Sequence, residues 1–284
     1  MNQNIKNSIE VFNKELGNIY KFPKAERISI SQIKDALALE FDKEGVAKKT
    51  YDAHFNDPNS IYYQKSIEEI IEMWEAKGDK AKAMGNLVDD FVGIEYDNWD
   101  KLFENDNQIS KYLEDEDPVM CRKYNGVHRV LQEFKKNGLS FETRELPLYL
   151  KYPYKRKTWL INGRFDAIFS NAQQILIVDW KNSEDIKEKN PWQKMLGPCK
   201  EFDDCDWYKF TIQVYMYIYI LRWAYNIKIP MSACIVQFPG QKDYYYKIFK
   251  PAFDYSDELM KKIIEYAIDQ RIKKIKEEKK KDSK

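Results

Sequence analysis

The sequence predicts an α/β fold: a mixed sheet flanked by helices, preceded by a mainly helical part. Three observations carry this. After Gly138 the apolar pattern changes from a helical to a strand-like period. Ile175 to Val178 form an unbroken aliphatic run that ends in Asp179-Trp180-Lys181, as expected of a strand buried on both faces with charges at its end. An aromatic helical stretch at about 207–226 falls between strand-like segments near 174–181 and 231–238.

The elements follow in order. Residues 1–25 are polar with a weak helical pattern and read as an N-terminal arm. A strand and a short helix are expected over 26–55. From about 61 to 100 the pattern is helical, with Ile67, Ile70, Ile71 and Trp74 on one face; Lys77-Gly78-Asp79 reads as a break before a second helix carrying Met84, Leu87 and Val88. An acidic, partly helical stretch fills 103–117, and an amphipathic helix 120–137. Strands are expected near 140–150, 158–169, 174–181, 231–238 and 243–249, with a long loop over 182–206. A last helix begins near 255 and runs into a charged tail, 266–284. The expected division is therefore the arm, a body over 26–265 (helical to 137, sheet-containing from 138) and the tail.

The chain has 284 residues, 43% of them hydrophobic, enough for a sizeable core. Its 47 Lys and Arg nearly balance 46 Asp and Glu, so net charge does not point to nucleic acid; only a local basic surface would. The N-terminus lacks the apolar stretch of a signal peptide. The most apolar run, Val214 to Leu221, is too short to span a bilayer and is flanked by Gln213 and Arg222. An intracellular protein without a membrane partner is expected. The four cysteines show no CxxC spacing and read as free thiols.

Asp166 and Asp179 are carboxylates on consecutive strands, and Lys181 shares a strand face with Asp179 while Trp180 faces the other way. Two carboxylates that hold a divalent cation, with a lysine beside them, are the parts of a phosphodiester-cleaving site. Glu145 precedes Asp166 by one strand and reads as a further ligand or as a surface carboxylate. Gln213 and Tyr217, four residues apart, share a helix face and read as groups that orient the carboxylates or contact a nucleotide, Tyr217 above all, or as core. Asp89 and Asp90 follow Gly85 and read as ligands or as a solvated face. In KYPYKRK (151–157), Lys151, Lys155, Arg156 and Lys157 interleave with aromatics, which suits nucleic-acid contact or a solvated hairpin tip.

Glu145, Asp166, Asp179-x-Lys181 and Gln213-x-x-x-Tyr217, in that order, resemble the PD-(D/E)XK nuclease superfamily, in its RecB-like branch. The similarity is to the mitochondrial genome maintenance exonuclease type and related phage exonucleases, and covers roughly residues 26–240. Trp74-x-x-x-Gly78-x-x-Ala81-x-x-x-Gly85 resembles the lead-in to the family's first motif. The resemblance implies a restriction-endonuclease-like fold and a metal-dependent DNA exonuclease acting on single strands or duplex ends. It also implies one or two Mg²⁺ or Mn²⁺ ions held by Asp166, Asp179 and the Trp180 carbonyl, completed by Glu145 and Asp89. Lys181 would stabilise charge at the phosphate, because its carboxylate neighbours keep it protonated. Asp89 stands where the branch usually has a metal-binding His; neither His54 nor His128 falls there. That departure leaves open a decayed DNA-binding module, and a sequence-specific endonuclease is the other alternative. Some relatives hold an iron–sulfur cluster on one early and three late cysteines; Cys121, Cys199, Cys205 and Cys234 do not follow that spacing, so a cluster is not expected.

Overall fold

The structure, a computed structural model, describes residues 3–16, 22–103, 107–241 and 244–282. It is α/β, with two mixed sheets flanked by helices. The larger sheet has the order β2-β5-β6-β7-β8: β2 (Ser140–Arg144), β5 (Ala167–Ser170), β6 (Ile175–Lys181), β7 (Met231–Gln237) and β8 (Lys247–Phe249). In this sheet β6 and β7 are the parallel pair among the described residues; they are joined by α7 (Asp206–Trp223), since parallel neighbours need a crossover. The smaller sheet, β1-β4-β3, holds β1 (Arg27–Ser29), β4 (Lys157–Arg164) and β3 (Pro147–Tyr154).

The β6 strand is buried on both faces, as its aliphatic run predicts. Ile175 and Ile177 enter a core shared with α7, whereas Val178 and Trp180 enter a second core. This second core is closed by α4 (Ile67–Asp97) and α6 (Pro118–Lys136). A charged residue on β6 is therefore within a layer of helix on either side.

The helix α4 runs unbroken through Gly78, where a break was expected. Ser66 and Glu69 cap its start reciprocally, and the flanking turns carry strong helix formers. One glycine in a solvated stretch lowers helix propensity by about 1 kcal/mol and does not end a capped helix of 31 residues. The acidic stretch after it contains α5 (Asn107–Leu113). Asp117 caps α6 by accepting from the N–H groups of Val119 and Met120, with Pro118 in the first turn.

Two strands expected as single pieces are each divided between the sheets. The first breaks at Glu145, which adopts a φ of 51°, and the second at Phe165–Asp166. Chain thus passes twice between the sheets at one place. The helix α8 (Asp257–Asp282) continues through most of the residues expected as a charged tail, and Ala267 and Ile268 are buried in its underside. The N-terminal arm is a helix, α1 (Gln3–Leu16), docked through Asn13, which donates to Pro147 O and accepts from the Tyr225 hydroxyl. Residues 17–21 of that arm and 283–284 of the tail lie outside the described residues. Among the described residues no helix is long and apolar enough to cross a membrane.

Candidate active site

The site forms where the sheets diverge. At the end of β6, the partner strand β5 stops at Ala167, opposite Val178. The next outward amide, Trp180 N–H, would lack an acceptor; it donates instead to Asp166 Oδ2 at 2.7 Å. Asp166 thus continues the sheet with its side chain, and its carboxylate is fixed by that bond beside Asp179.

Asp179 is fully buried and faces α7. Lys181, two residues on and on the same strand face, places Nζ 2.7 Å from Asp179 Oδ2. Gln213 Nε2 donates to Asp179 Oδ1 at 3.0 Å and to the Tyr217 hydroxyl at 3.1 Å. Tyr217 in turn donates to Arg164 O at 2.8 Å, at the end of β4. Five residues singled out in the sequence, Asp166, Asp179, Lys181, Gln213 and Tyr217, therefore meet in one cluster built from β6, α7 and the β4–β5 passage. The tight fit of Tyr217 depends on Gly163: a Cβ there would press on the Tyr217 ring and on Ile30 of α2 (Ile30–Asp35).

Beside this cluster lies a small cavity of about 30 Å³, walled by Asp89, Arg144, Glu145, Asp166, Tyr96 and Trp180. It has room for about one water-sized particle. Glu145 reaches it through its left-handed backbone, and its N–H donates to Asp166 O at 3.2 Å. Asp89 reaches it from α4. The glycine that makes room for the wall is Gly93: a Cβ there would collide with the Arg144 guanidinium. Gly85, the glycine that marks the motif in the sequence, has only ordinary contact with Asn182.

The electrostatics are those of crowded carboxylates. Burial, then the neighbouring Asp179, push the Asp166 carboxyl well above the usual range, against the pull of Lys181 and the Trp180 N–H. Burial and Glu145 push Asp89 upward too, although its solvent-facing flank weakens the burial effect. For Lys181, burial opposes the charge, but Asp179 and Asp166 outweigh it and hold the pKa above that of an ordinary lysine. Lys181 is therefore an ammonium at neutral pH and no general base. Burial and the two aspartates push the Tyr217 hydroxyl far up, so it stays a neutral donor.

Among the described residues, no three or more Asp, Glu, His or Cys side chains are gathered closely enough to hold a metal ion. The donor chemistry still suits a hard cation: carboxylate oxygens, raised in pKa by burial and by each other. The donor types fit Mg²⁺ or Mn²⁺; the ligand set is not drawn together around one point.

The basic segment 151–157 is elsewhere. Lys151 lies within β3, Lys157 within β4, and only Lys155 and Arg156 form the turn, both at positive φ. Lys155 pairs with Asp269 of α8 at 2.6 Å, and Lys157 pairs with Glu26. β4 separates this tip from Arg164 by roughly 20 Å. His128 is also accounted for: its Nδ1 sits 2.8 Å from Glu95, a buried carboxylate bridging α4 and α6.

Sequence reasoning missed four neighbours. Lys34 of α2 donates from Nζ to Gln213 Oε1 at 3.1 Å. Phe210 lies beneath Lys181, with Nζ 4.6 Å from the ring centre, Arg144 walls the small cavity, and Arg164 is exposed beside Tyr217. Arg164 and Phe210 had a signal, since one adjoins Asp166 by two residues and the other precedes Gln213 by three. Lys34 had none: its contact spans 179 residues.

No protein-family model matches the chain, and no curated protein matches it. Among solved structures, the chain is similar to the crystal structure of SSO0001, at 10% identity and a TM-score of 0.36, over 93% of this chain and 84% of that one.

Proposed function

We propose that this chain is a metal-dependent nuclease of the PD-(D/E)XK type, acting as a RecB-like exonuclease on DNA strands or ends. One observation carries the reading: of the ordered set in the sequence, Asp179, Lys181, Gln213 and Tyr217 are joined by hydrogen bonds and an ion pair, and Asp166 adjoins them through its bond from the Trp180 N–H. An ordinary core would have little reason to bury Asp179, with Lys181 half-buried beside it, at the end of a central strand.

A bound Mg²⁺ or Mn²⁺, held by Asp166 and Asp179 with Glu145 and Asp89 beside them, would supply an acidified water and neutralise phosphate charge. The chain's own groups do the rest. Gln213 fixes the rotamer of Asp179 by donating to Oδ1, and Tyr217 fixes Gln213 against the β4 backbone. Lys181, held cationic by the aspartates, stabilises the extra negative charge that develops on a phosphate under attack.

A second reading, a nuclease fold retired to DNA binding, is favoured by Asp89 in place of the expected histidine and by ligands not gathered around one point. End-labelled single- and double-stranded DNA, incubated with Mg²⁺, Mn²⁺ or chelator, separates the two. The expected result is metal-dependent loss of label from one end. In Lys181→Ala, kcat falls by roughly 100-fold or more with little change in DNA affinity, the size typical of losing one transition-state donor. Binding without cleavage under either metal would transfer the assignment to the second reading.

A further inference from the structure

The ammonium of Lys34 has no close ion-pair partner among the described residues, although Asp179 and Asp35 attract it from farther off. Its one hydrogen bond goes to the neutral Gln213 amide, and among the described residues no carboxylate stands within ion-pair distance. An ammonium has three donors, so two remain open. Lys34 and Lys181 flank the same Phe210 ring, with Nζ at 5.6 and 4.6 Å from its centre. Two cations are thereby gathered at one aspartate, Asp179. Gln213, the residue to which Lys34 donates, also walls a cavity of about 370 Å³, with Tyr217, Asn162, Ser31 and Arg164. The Arg164 guanidinium is exposed there and likewise has no ion-pair partner among the described residues.

A half-buried cation without a partner is unfavourable unless an anion completes it. Burial and the like charge of Lys181 pull the Lys34 pKa down, against the attraction of Asp179 and Asp35; a bound anion would add to that attraction. The cavity is open to solvent, polar, and large enough for a nucleotide unit.

We propose that Lys34 is a phosphate-binding residue: it holds one backbone phosphate of a DNA strand that enters beside Lys181 and Asp179, past Gln213, along the cavity lined by Arg164. This rests on the nuclease reading for the identity of the strand, but it adds a contact from an element outside the resemblance's motifs. It also gives Gln213 a polarity, because the ammonium on Oε1 compels Nε2 to face Asp179.

The test is the salt dependence of binding. A fluorescently labelled single-stranded DNA oligonucleotide is titrated with the full chain in chelator, by anisotropy, between about 50 and 200 mM salt. Each phosphate contact adds about 0.7 to the slope of log affinity against log salt for single strands. Lys34→Gln, which keeps a donor for Gln213 but removes the charge, is expected to lower the slope by about 0.7. The loss of affinity over that salt range then shrinks by about 2.6-fold relative to wild type. Lys34→Arg restores the slope. Lys65→Gln, at an exposed pair with Glu69 near the start of α4, leaves it unchanged. An unaltered slope in a folded Lys34→Gln protein overturns the proposal, as does a wild type that does not bind the oligonucleotide. A Lys34-dependent slope in a protein that never cleaves sustains the phosphate contact while the nuclease reading fails; cleavage with an unaltered slope does the reverse.

Discussion

Asp166 serves the backbone and the candidate site with the same carboxylate. Its Oδ2 accepts the Trp180 N–H, which no strand pairs with, and that bond sets its place beside Asp179. The two substitutions that remove the charge should therefore part company. Asp166→Asn retains an acceptor for the amide and relieves the repulsion with Asp179, so its stability should match or exceed wild type. Asp166→Ala strands a buried N–H and should lose about 1–3 kcal/mol. Urea melts of the two proteins check this, and equal stabilities would refute the backbone role. Both should be inactive under the nuclease reading. At this scale the sequence was informative where a period of two decided it: the alternation that puts Asp179 and Lys181 on one face and Trp180 on the other survives in the structure. It was silent on Glu145, whose φ of 51° is a conformation that glycine usually marks and glutamate does not.

Among the helices, α4 runs through an expected break, and two of its glycines show why. Gly78 lies in a solvated turn with nothing within reach of a Cβ, so it acts only through propensity. Gly78→Ala should stabilise the protein by about 1 kcal/mol. Gly93 is a packing residue: Arg144 crosses the helix where a side chain would stand. Gly93→Ala should lower the melting temperature and, by displacing Arg144, widen the cavity at Asp89. Thermal melts of the two variants should move in opposite directions; movement in the same direction would overturn this division. Nothing in the local sequence distinguishes the two glycines, because the difference is a contact with a strand 51 residues downstream. The hairpin of β3 and β4 teaches the same lesson in reverse. Its basic and aromatic letters suit phosphate contact or a solvated tip, and neither pattern announces that α8 packs there, with Asp269 and Glu265 bound to Lys155 and the Tyr152 hydroxyl.

For the whole molecule, the order of helices and strands was legible because each element carries its own period, and the α/β class followed from that order. Which strands share a sheet was not legible, since the division at Glu145 and at Phe165–Asp166 is made by tertiary pairing. The pH dependence of stability also belongs to this scale. Lys123 on α6 is buried and donates to Phe238 O, at the end of β7, at 2.6 Å. Burial pulls its pKa down to about 8, against the attraction of Glu184. The unfolded chain keeps that proton to its ordinary value of 10.5. Between the two the unfolded state binds more protons, so this group makes stability rise with pH from about 8 to about 10.5. Below about 8 both states are charged and the burial penalty is present in full. Denaturant melts across that interval should show a shallower rise for Lys123→Met than for wild type, and parallel curves would show that the lysine titrates normally in the fold.

The same place where β5 stops short has a spectroscopic consequence. Trp180 N–H should owe its protection from deuterium exchange to a side chain, whereas Val178, opposite Ala167, should owe its own to the ladder. Any cation or phosphate that draws the Asp166 carboxylate toward itself would loosen one amide and leave its strand neighbours locked. The exchange rate of that single proton would then report occupancy of the site from inside the sheet, with no substrate turned over.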